Sequence, residues 1–347
     1  VAVPWYRALV QRCKFSSYLF VHFTGEDDDA AEQVHFAVSD GASLSDWDLL
    51  EDGAPVLTSD LGTRGVRDPF LLRKEDGGFV ILATDLKVHG AGGFGAGQEN
   101  GSTDILVWES DDLVTWTGPR AVSVMGPEAG NVWAPEAVWS AEHGAYLVYW
   151  ASNLYPEGGE RRAADSYNRM MIAQTADFAT FSEPRVWIDV RRGPGYGTID
   201  STLARDGAHW YRFTKDEEPG TMHVFAERGD DVLRPTEGRI GSAWELLAEG
   251  IGSDVISHGE GPIIVRSLDE RSWLLFIDWP PYGGGTGYRV FESADLADGT
   301  WTPSAHAVPP RFRHGSVVPI TAEERERLLA AWPSRRVTTA EAAVSRG

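Results

Sequence analysis

Short apolar runs, not long amphipathic stretches, carry the hydrophobic signal of this chain. They lie at 18–23, 33–38, 70–73, 79–83, 105–108, 146–150, 170–173, 210–213, 263–265 and 273–277, and are rich in Val, Ile, Tyr, Phe and Trp. Gly, Asp, Asn and Pro punctuate them, the pattern of strands divided by turns. Helical periodicity appears near the end. Thr321 reads as an N-cap and Glu324, three residues on, as its capping-box partner, which predicts a helix over about 321–332.

A phrase recurs along these runs: a small hydroxyl residue, an Asp, an apolar residue, then an aromatic. Ser39-Asp40 leads to Trp47, and Ser110-Asp111-Asp112-Leu113 leads to Trp116. Thr175-Ala176-Asp177-Phe178 leads to Phe181, and Ser293-Ala294-Asp295-Leu296 to Trp301. Glu227 to Leu233, with Trp244 downstream, fills the gap between the third copy and the last. Strand-rich units of about 60 residues, each closing on an aromatic hairpin, predict an all-β chain. The expected architecture is a five-bladed β-propeller with a short C-terminal helix, one domain over 1–347, its N-terminal blade at about 18–57. Unrelated β-turns are the competing explanation, since Ser-Asp pairs favour turns anyway.

Composition narrows the function. The 347 residues carry 31 Lys and Arg against 52 Asp and Glu, a formal net charge of −21. So acidic a surface repels phosphate, which argues against nucleic acid and anionic membrane as partners. Cys13 is the lone cysteine, excluding internal disulfides and Cys-rich zinc sites. No run approaches the roughly 18 apolar residues of a membrane-spanning helix. Residues 1–20 carry Arg7, Arg12 and Lys14 and show no clean signal-peptide core, so no signal peptide is expected within this sequence. Compartment and oligomeric state stay open.

A second repeat carries the chemistry. Four units begin with an acid, usually beside Pro, that leads straight into an apolar run. The copies are Arg67-Asp68-Pro69, Trp133-Ala134-Pro135-Glu136, Ile199-Asp200-Ser201-Thr202 and Glu260-Gly261-Pro262. In a propeller the first strand of each blade lines the axis, so acids at those strand mouths converge on one depression. Glycoside hydrolysis uses such a set: a protonated acid for the leaving oxygen and an ionised base or nucleophile, their pKa values pushed apart. A third carboxylate can hold the acid's proton by like-charge repulsion.

This ordered set, with Arg313-His314-Gly315-Ser316-Val317 near the end, resembles glycoside hydrolase family 43 over about 18–329. The resemblance implies a five-bladed propeller and anomer-inverting hydrolysis of α-L-arabinofuranosides or β-D-xylosides. It implies Asp68 as general base, Asp200 as the residue that keeps Glu260 protonated and aligned, and Glu260 as general acid. It places His314 on the axis, holding water or a cation such as Ca²⁺, and requires no cofactor. The chain departs from the usual order in one respect. A strand unit precedes the Asp-Pro base, and the simplest reading is that it supplies the blade usually placed last. Glu26 and Asp27 are the fallback bases.

Other residues carry two readings. Trp133 either stacks on a sugar ring or is core. Glu136 either positions substrate, as Arg67 is expected to, or forms a structural salt bridge. Gly92 to Gly97 lacks the context of a phosphate cradle and reads as a mobile loop near the cleft. Arg212 and Lys215 either pair with the acid cluster or lie on the surface. The expected function is release of terminal α-L-arabinofuranosyl residues from a carbohydrate substrate. A β-D-xylosidase, an exo-galactosidase or a non-catalytic carbohydrate-binding propeller is the alternative. The Arg67-Asp68-Pro69 motif also resembles that of related retaining propeller enzymes acting on fructosides, but that resemblance implies an Asn-Asp-Pro-Asn-Gly-type nucleophile and a Glu-Cys acid as well, and neither occurs.

Overall fold

The computed structural model describes residues 15–338 except 157, so Cys13 lies outside the described residues. The described chain opens with β1 (Phe15–Phe23), β2 (His35–Ser39) and β3 (Asp46–Leu50). Then come β4 (Val66–Arg73), β5 (Phe79–Asp85), a short helix α1 (Gly93–Asn100), β6 (Asp104–Ser110) and β7 (Trp116–Ser123). The four strands pair in chain order as an antiparallel sheet. The second sheet holds β8 (Trp133–Ser140), β9 (Ala145–Asn153), β10 (Asn168–Thr175) and β11 (Arg185–Asp189). The third holds β12 (Thr198–Asp206), β13 (His209–Asp216), β14 (His223–Gly229) and, after the two-residue β15 (Thr236–Glu237), β16 (Glu245–Ala248). β15 itself adds parallel to β11. The fourth holds β17 (Glu260–Arg266), β18 (Trp273–Trp279), β19 (Gly287–Ser293) and β20 (Thr302–Ala307). The described chain ends with β21 (Arg313–Thr321), α2 (Ala322–Ala331) and β22 (Ser334–Thr338).

The fifth sheet has the order β21-β1-β2-β3-β22. The early unit is therefore not a blade by itself: its innermost and outermost strands come from the far end of the chain. β4, β8, β12, β17 and β21 neighbour one another in turn and close a ring around the axis, giving a five-bladed propeller.

The apolar runs follow from this stacking. A strand between two blades is covered on both faces and needs no polar alternation. Phe79, Ile81 and Ala83 of β5 face the gap toward the β1 sheet, while Val80 and Leu82 face the gap toward the β9 sheet. Tyr146, Val148 and Trp150 of β9 divide likewise from Leu147, Tyr149 and Ala151. Five core clusters result, one per gap between blades.

The recurring hydroxyl-Asp phrase is a turn within each blade. Ser110 Oγ accepts from the Leu113 N–H, Asp112 Oδ1 accepts from those of Val114 and Thr115, and Trp116 Nε1 donates to the Leu113 carbonyl. Thr175 and Asp177 repeat the arrangement before β11. The turn explanation and the blade explanation are thus both correct. At the C-terminus Thr321 caps α2, with its side chain and that of Glu324 reciprocally bonded to backbone N–H groups. None of the helices in the described residues is long and apolar enough to cross a membrane.

Candidate active site

Each of the five axial strands brings polar side chains to one end of the propeller, and four of them use the same bend to do it. Pairing with the next strand slips between Arg67 and Phe70, Trp133 and Glu136, Ile199 and Ser201, and Glu260 and Ile263. At these slips Asp68, Ala134, Asp200 and Gly261 take φ values of 51°, 49°, 55° and 50°. Such β-bulges leave one residue unpaired and re-aim its side chain. The left-handed conformation is costly for most residues but accessible to Asp and Asn. The bulged strand mouths surround a cavity of about 450 Å³ lined by Arg67, Asp68, Trp133, Asp200, Glu260 and His314, among others. Six of the seven residues proposed from sequence therefore meet there.

His314 is the hub. Its Nδ1 lies 3.3 Å from Asp68 Oδ1 and 3.7 Å from Asp200 Oδ1. Burial disfavours the imidazolium, but the charges of Asp200 and Asp68 prevail and lift its pKa to about 10. Burial likewise opposes ionisation of Asp68. The His314 hydrogen bond and charge, with Arg67 and the Thr84 hydroxyl at 2.7 Å, prevail there and hold it below the usual carboxylate range. Thr84 in turn accepts from the Ala134 N–H, linking two blades beneath Asp68. Asp200 is raised, by burial first and by the charges of Glu260 and Asp68, against His314 and Lys215. Its Oδ2 accepts from the Gly261 N–H at 3.1 Å, which ties it to the residue next to Glu260.

Glu260 departs from expectation. Lys215 Nζ lies 2.7 Å from its Oε2 and Arg313 Nη2 lies 2.9 Å from its Oε1. Tyr282 OH donates to Oε2 at 2.7 Å. Burial raises the carboxyl, but the charges of Lys215 and Arg313 outweigh it and hold Glu260 below the usual carboxylate range. The like charge of Asp200 acts against these two ion pairs. Arg313 is held for this role by Asp278, whose Oδ2 accepts from its Nε at 2.8 Å and from the His314 N–H at 3.2 Å.

The remaining candidates divide. Trp133 is buried yet lines the cavity, with the Phe94 ring edge-on at 6.2 Å. Arg67 is clamped by Glu26 and Glu32 at 2.7 and 3.0 Å and lies over the Phe23 ring, so its guanidinium is fixed at the cavity wall. Glu26 is occupied by that pairing, while Asp27 pairs with Arg311 at an exposed position. Glu136 does not reach the cavity. It is buried beneath, lining a second axial cavity with Tyr149 and Thr202, and accepts from the Tyr149 hydroxyl at 3.1 Å. The slip at Trp133 ends before Glu136, so the pleat turns Glu136 inward. Neither substrate positioning nor a salt bridge describes it. Burial pushes its pKa up to about 8, against the opposing charge of His314 and the Thr202 hydrogen bond.

The Gly-rich segment is α1 instead of a mobile loop. Gly97 packs so close that a methyl group there would stand 3.0 Å from Leu86 and 3.1 Å from Trp133, and Phe94, 47% exposed, overhangs the cavity rim. Arg212 and Lys215, on the same strand, have different fates. Arg212 is fully buried away from the site, paired with Glu227 and flanked by the Trp187 and Trp244 rings. Among the described residues no group of three or more His, Cys, Asp or Glu side chains is disposed to hold a metal ion. The imidazolium itself supplies the axial positive charge.

Sequence reasoning missed Glu217, Asp278 and Tyr282 altogether. Glu217 lines the cavity and accepts from the Gly197 N–H and the Asn168 amide, and burial raises its carboxyl against the pull of Lys215. None of the three sits in a repeated motif. The one signal for Asp278 was its place directly opposite Glu260 in a hairpin.

A family model for glycosyl hydrolase 43-related proteins, described as a probable glycosyl hydrolase domain, matches residues 14–326. An α-L-arabinofuranosidase of Bifidobacterium longum subsp. longum is 31% identical over 307 residues, covering 79% of this chain and 28% of that protein. The chain thus spans little more than a quarter of the length of this relative. Among solved structures, an endo-1,4-β-xylanase from Bacteroides thetaiotaomicron superposes with a TM-score of 0.57 at 13% identity, over 87% of this chain and 97% of that one. At that identity the likeness speaks to the fold.

Proposed function

This chain belongs to the glycosyl hydrolase 43-related family, and from that premise we propose that it cleaves glycosidic bonds with inversion, releasing terminal α-L-arabinofuranosyl residues. The observation that carries the reading is that Asp68, held ionised by His314 and Arg67, shares one cavity with Glu260. Asp68 accepts a proton from a water that attacks the anomeric carbon. The bond from that carbon to the leaving oxygen breaks, its electron pair going to the oxygen, which takes a proton from Glu260 on the opposite face. Asp200 holds the Gly261 N–H, and its charge favours protonation of Glu260. Trp133 offers an aromatic face to the sugar and Arg67 a fixed donor at the wall. The arabinose preference is supported by the Bifidobacterium relative.

A proton NMR time course on arabinoxylan and arabinan oligosaccharides, xylobiose and a galacto-oligosaccharide tests this. The expected first product is β-arabinofuranose from an α-linked substrate, and Asp68→Asn is expected to lower kcat/KM by about 10²–10⁴. Initial α-xylose from xylobiose would change the sugar and keep the chemistry. A retained anomer would overturn the roles of Asp68 and Glu260, and no release from any substrate would point to a binding propeller.

A further inference from the structure

We infer that Lys215 and Tyr282 are positioning residues that withhold Glu260 from proton donation until a substrate's leaving group takes the place of the Tyr282 hydroxyl. This rests on the assignment of Glu260 as the acid, and the geometry around that carboxylate is the reason to go further. Oε2 accepts from Lys215 Nζ and from Tyr282 OH, each at 2.7 Å, and the two donors are themselves 2.9 Å apart. Oε1 accepts from Arg313. A carboxylate oxygen offers about two lone-pair sites, so Oε2 is filled. To protonate a leaving oxygen, Glu260 needs a hydrogen on one oxygen and a clear line into the cavity. One donor must withdraw.

The three donors are unequally anchored. Arg313 is buried in β21 and bound a second time by Asp278. Lys215 is buried in β13 and attracted by Asp200 and Glu217 as well. Tyr282 sits on the tip of a one-turn 3₁₀ segment, Pro281–Gly283, between β18 and β19, with Gly284 and Gly285 following. The residue is 61% exposed and its ring meets His258 edge-on at 5.6 Å, while its hydroxyl reaches inward to Glu260. Tyr282 is therefore the donor that can leave. It lines the cavity, so its replacement is the oxygen of whatever the sugar is linked to, an alcohol or a second sugar.

The charges facing Glu260 are Lys215 from β13, Arg313 from β21, Asp278 from β18 and Asp200 from β12. With the Tyr282 hydroxyl gone, the carboxylate takes one proton from solvent and passes it to the departing oxygen. Asp68 receives one proton from the attacking water and returns it to solvent. The balance over a turnover is zero.

The test is the pH profile of kcat/KM, whose alkaline limb reports the acid of the free enzyme. Two substrates of the sugar identified above are compared, one with a sugar leaving group and one with a nitrophenolate, which departs without an acid. With the sugar leaving group, Lys215→Met is expected to move the alkaline limb upward by about one pH unit or more, the effect of removing an adjacent opposite charge. Tyr282→Phe is expected to move it in the same direction by less. With the nitrophenolate, which needs no acid, the Glu260 limb is expected to be absent, and neither substitution is expected to shift the profile. An unmoved limb with the sugar leaving group, or equal shifts with both substrates, would overturn the inference. Should Lys215→Met fail to fold, Tyr282→Phe, at an exposed turn, decides alone. Glu260→Gln separates the two levels. If it retains full activity on the sugar leaving group, the acid assignment itself is wrong. If it loses that activity while the limbs in the other variants stay fixed, only the role of Lys215 and Tyr282 is wrong.

Discussion

Asp68 and Asp200 stand in the left-handed region of backbone space, at a cost of about 1–3 kcal/mol each. They persist because each bend aims a carboxylate at His314, whose positive charge offsets the strain. Below them Glu136 stores a different tension. Its pKa lies near 8 in the folded protein, against an ordinary 4.5. Below pH 4.5 folded and unfolded chains both bind this proton, and its contribution to stability is fully present. Between pH 4.5 and 8 only the folded chain keeps it, so stability falls as pH rises. His314, lifted from 6.5 to about 10, acts in the same sense over its own window. Glu136→Gln removes the first contribution. The variant is expected to match the parent near pH 4.5 and to exceed its stability by about 1–3 kcal/mol at pH 8. Urea denaturation at the two pH values checks this, and an unchanged difference would mean that Glu136 is ionised.

At the scale of the element, the bulged mouth of the axial strand is the unit that makes a site. Three of its four copies place a residue with a side chain at the positive φ, whereas β17 uses Gly261. The reason is the neighbour: a methyl group on Gly261 would stand 2.7 Å from His314 Cγ. Gly261→Ala is expected to destabilise the protein by about 1–3 kcal/mol through overpacking, beyond any backbone cost, and to lower activity by displacing His314 from Asp68. Gly220→Ala is the control. Its φ is also positive, at 95°, but a methyl group there meets nothing within 4 Å, so only the backbone cost remains. Equal losses in urea melts would show that crowding of His314 is not the cause.

At the scale of the whole molecule, the propeller depends on joining its two ends. β21 supplies the innermost strand beside β1, and Ser316 on β21 accepts from the Leu71 N–H and donates to the Pro69 carbonyl. The blade that closes the ring thereby also grips the strand that carries Asp68. β22 merely adds to the outer edge at β3. Deleting residues 313–347 is expected to abolish cooperative folding, because a ring of stacked blades cannot bury its gap faces with an axial strand missing. Deleting 333–347 is expected to leave a folded protein with a lower Tm. Circular dichroism melts of both truncations check this, and a cooperative transition in the longer deletion would refute the closure argument.

What was legible in the sequence was local. Short apolar runs and turn chemistry act between near neighbours, so the strands, the turn in each blade, the capping box at Thr321 and the strand-mouth acids could be read directly. The order of those acids also sufficed to bring Asp68, Asp200 and Glu260 into one cavity. Ring closure decided the rest. It set Arg313 and His314 beside β1, turned Glu136 below the site, and folded the Gly-rich segment into a rim helix. It also brought Lys215 to Glu260 across 45 residues of sequence and Arg313 across 53. Which charge faces which is fixed by how five blades meet at an axis. That meeting joins residues no sequence interval connects, and so it alone determines which charges surround Glu260.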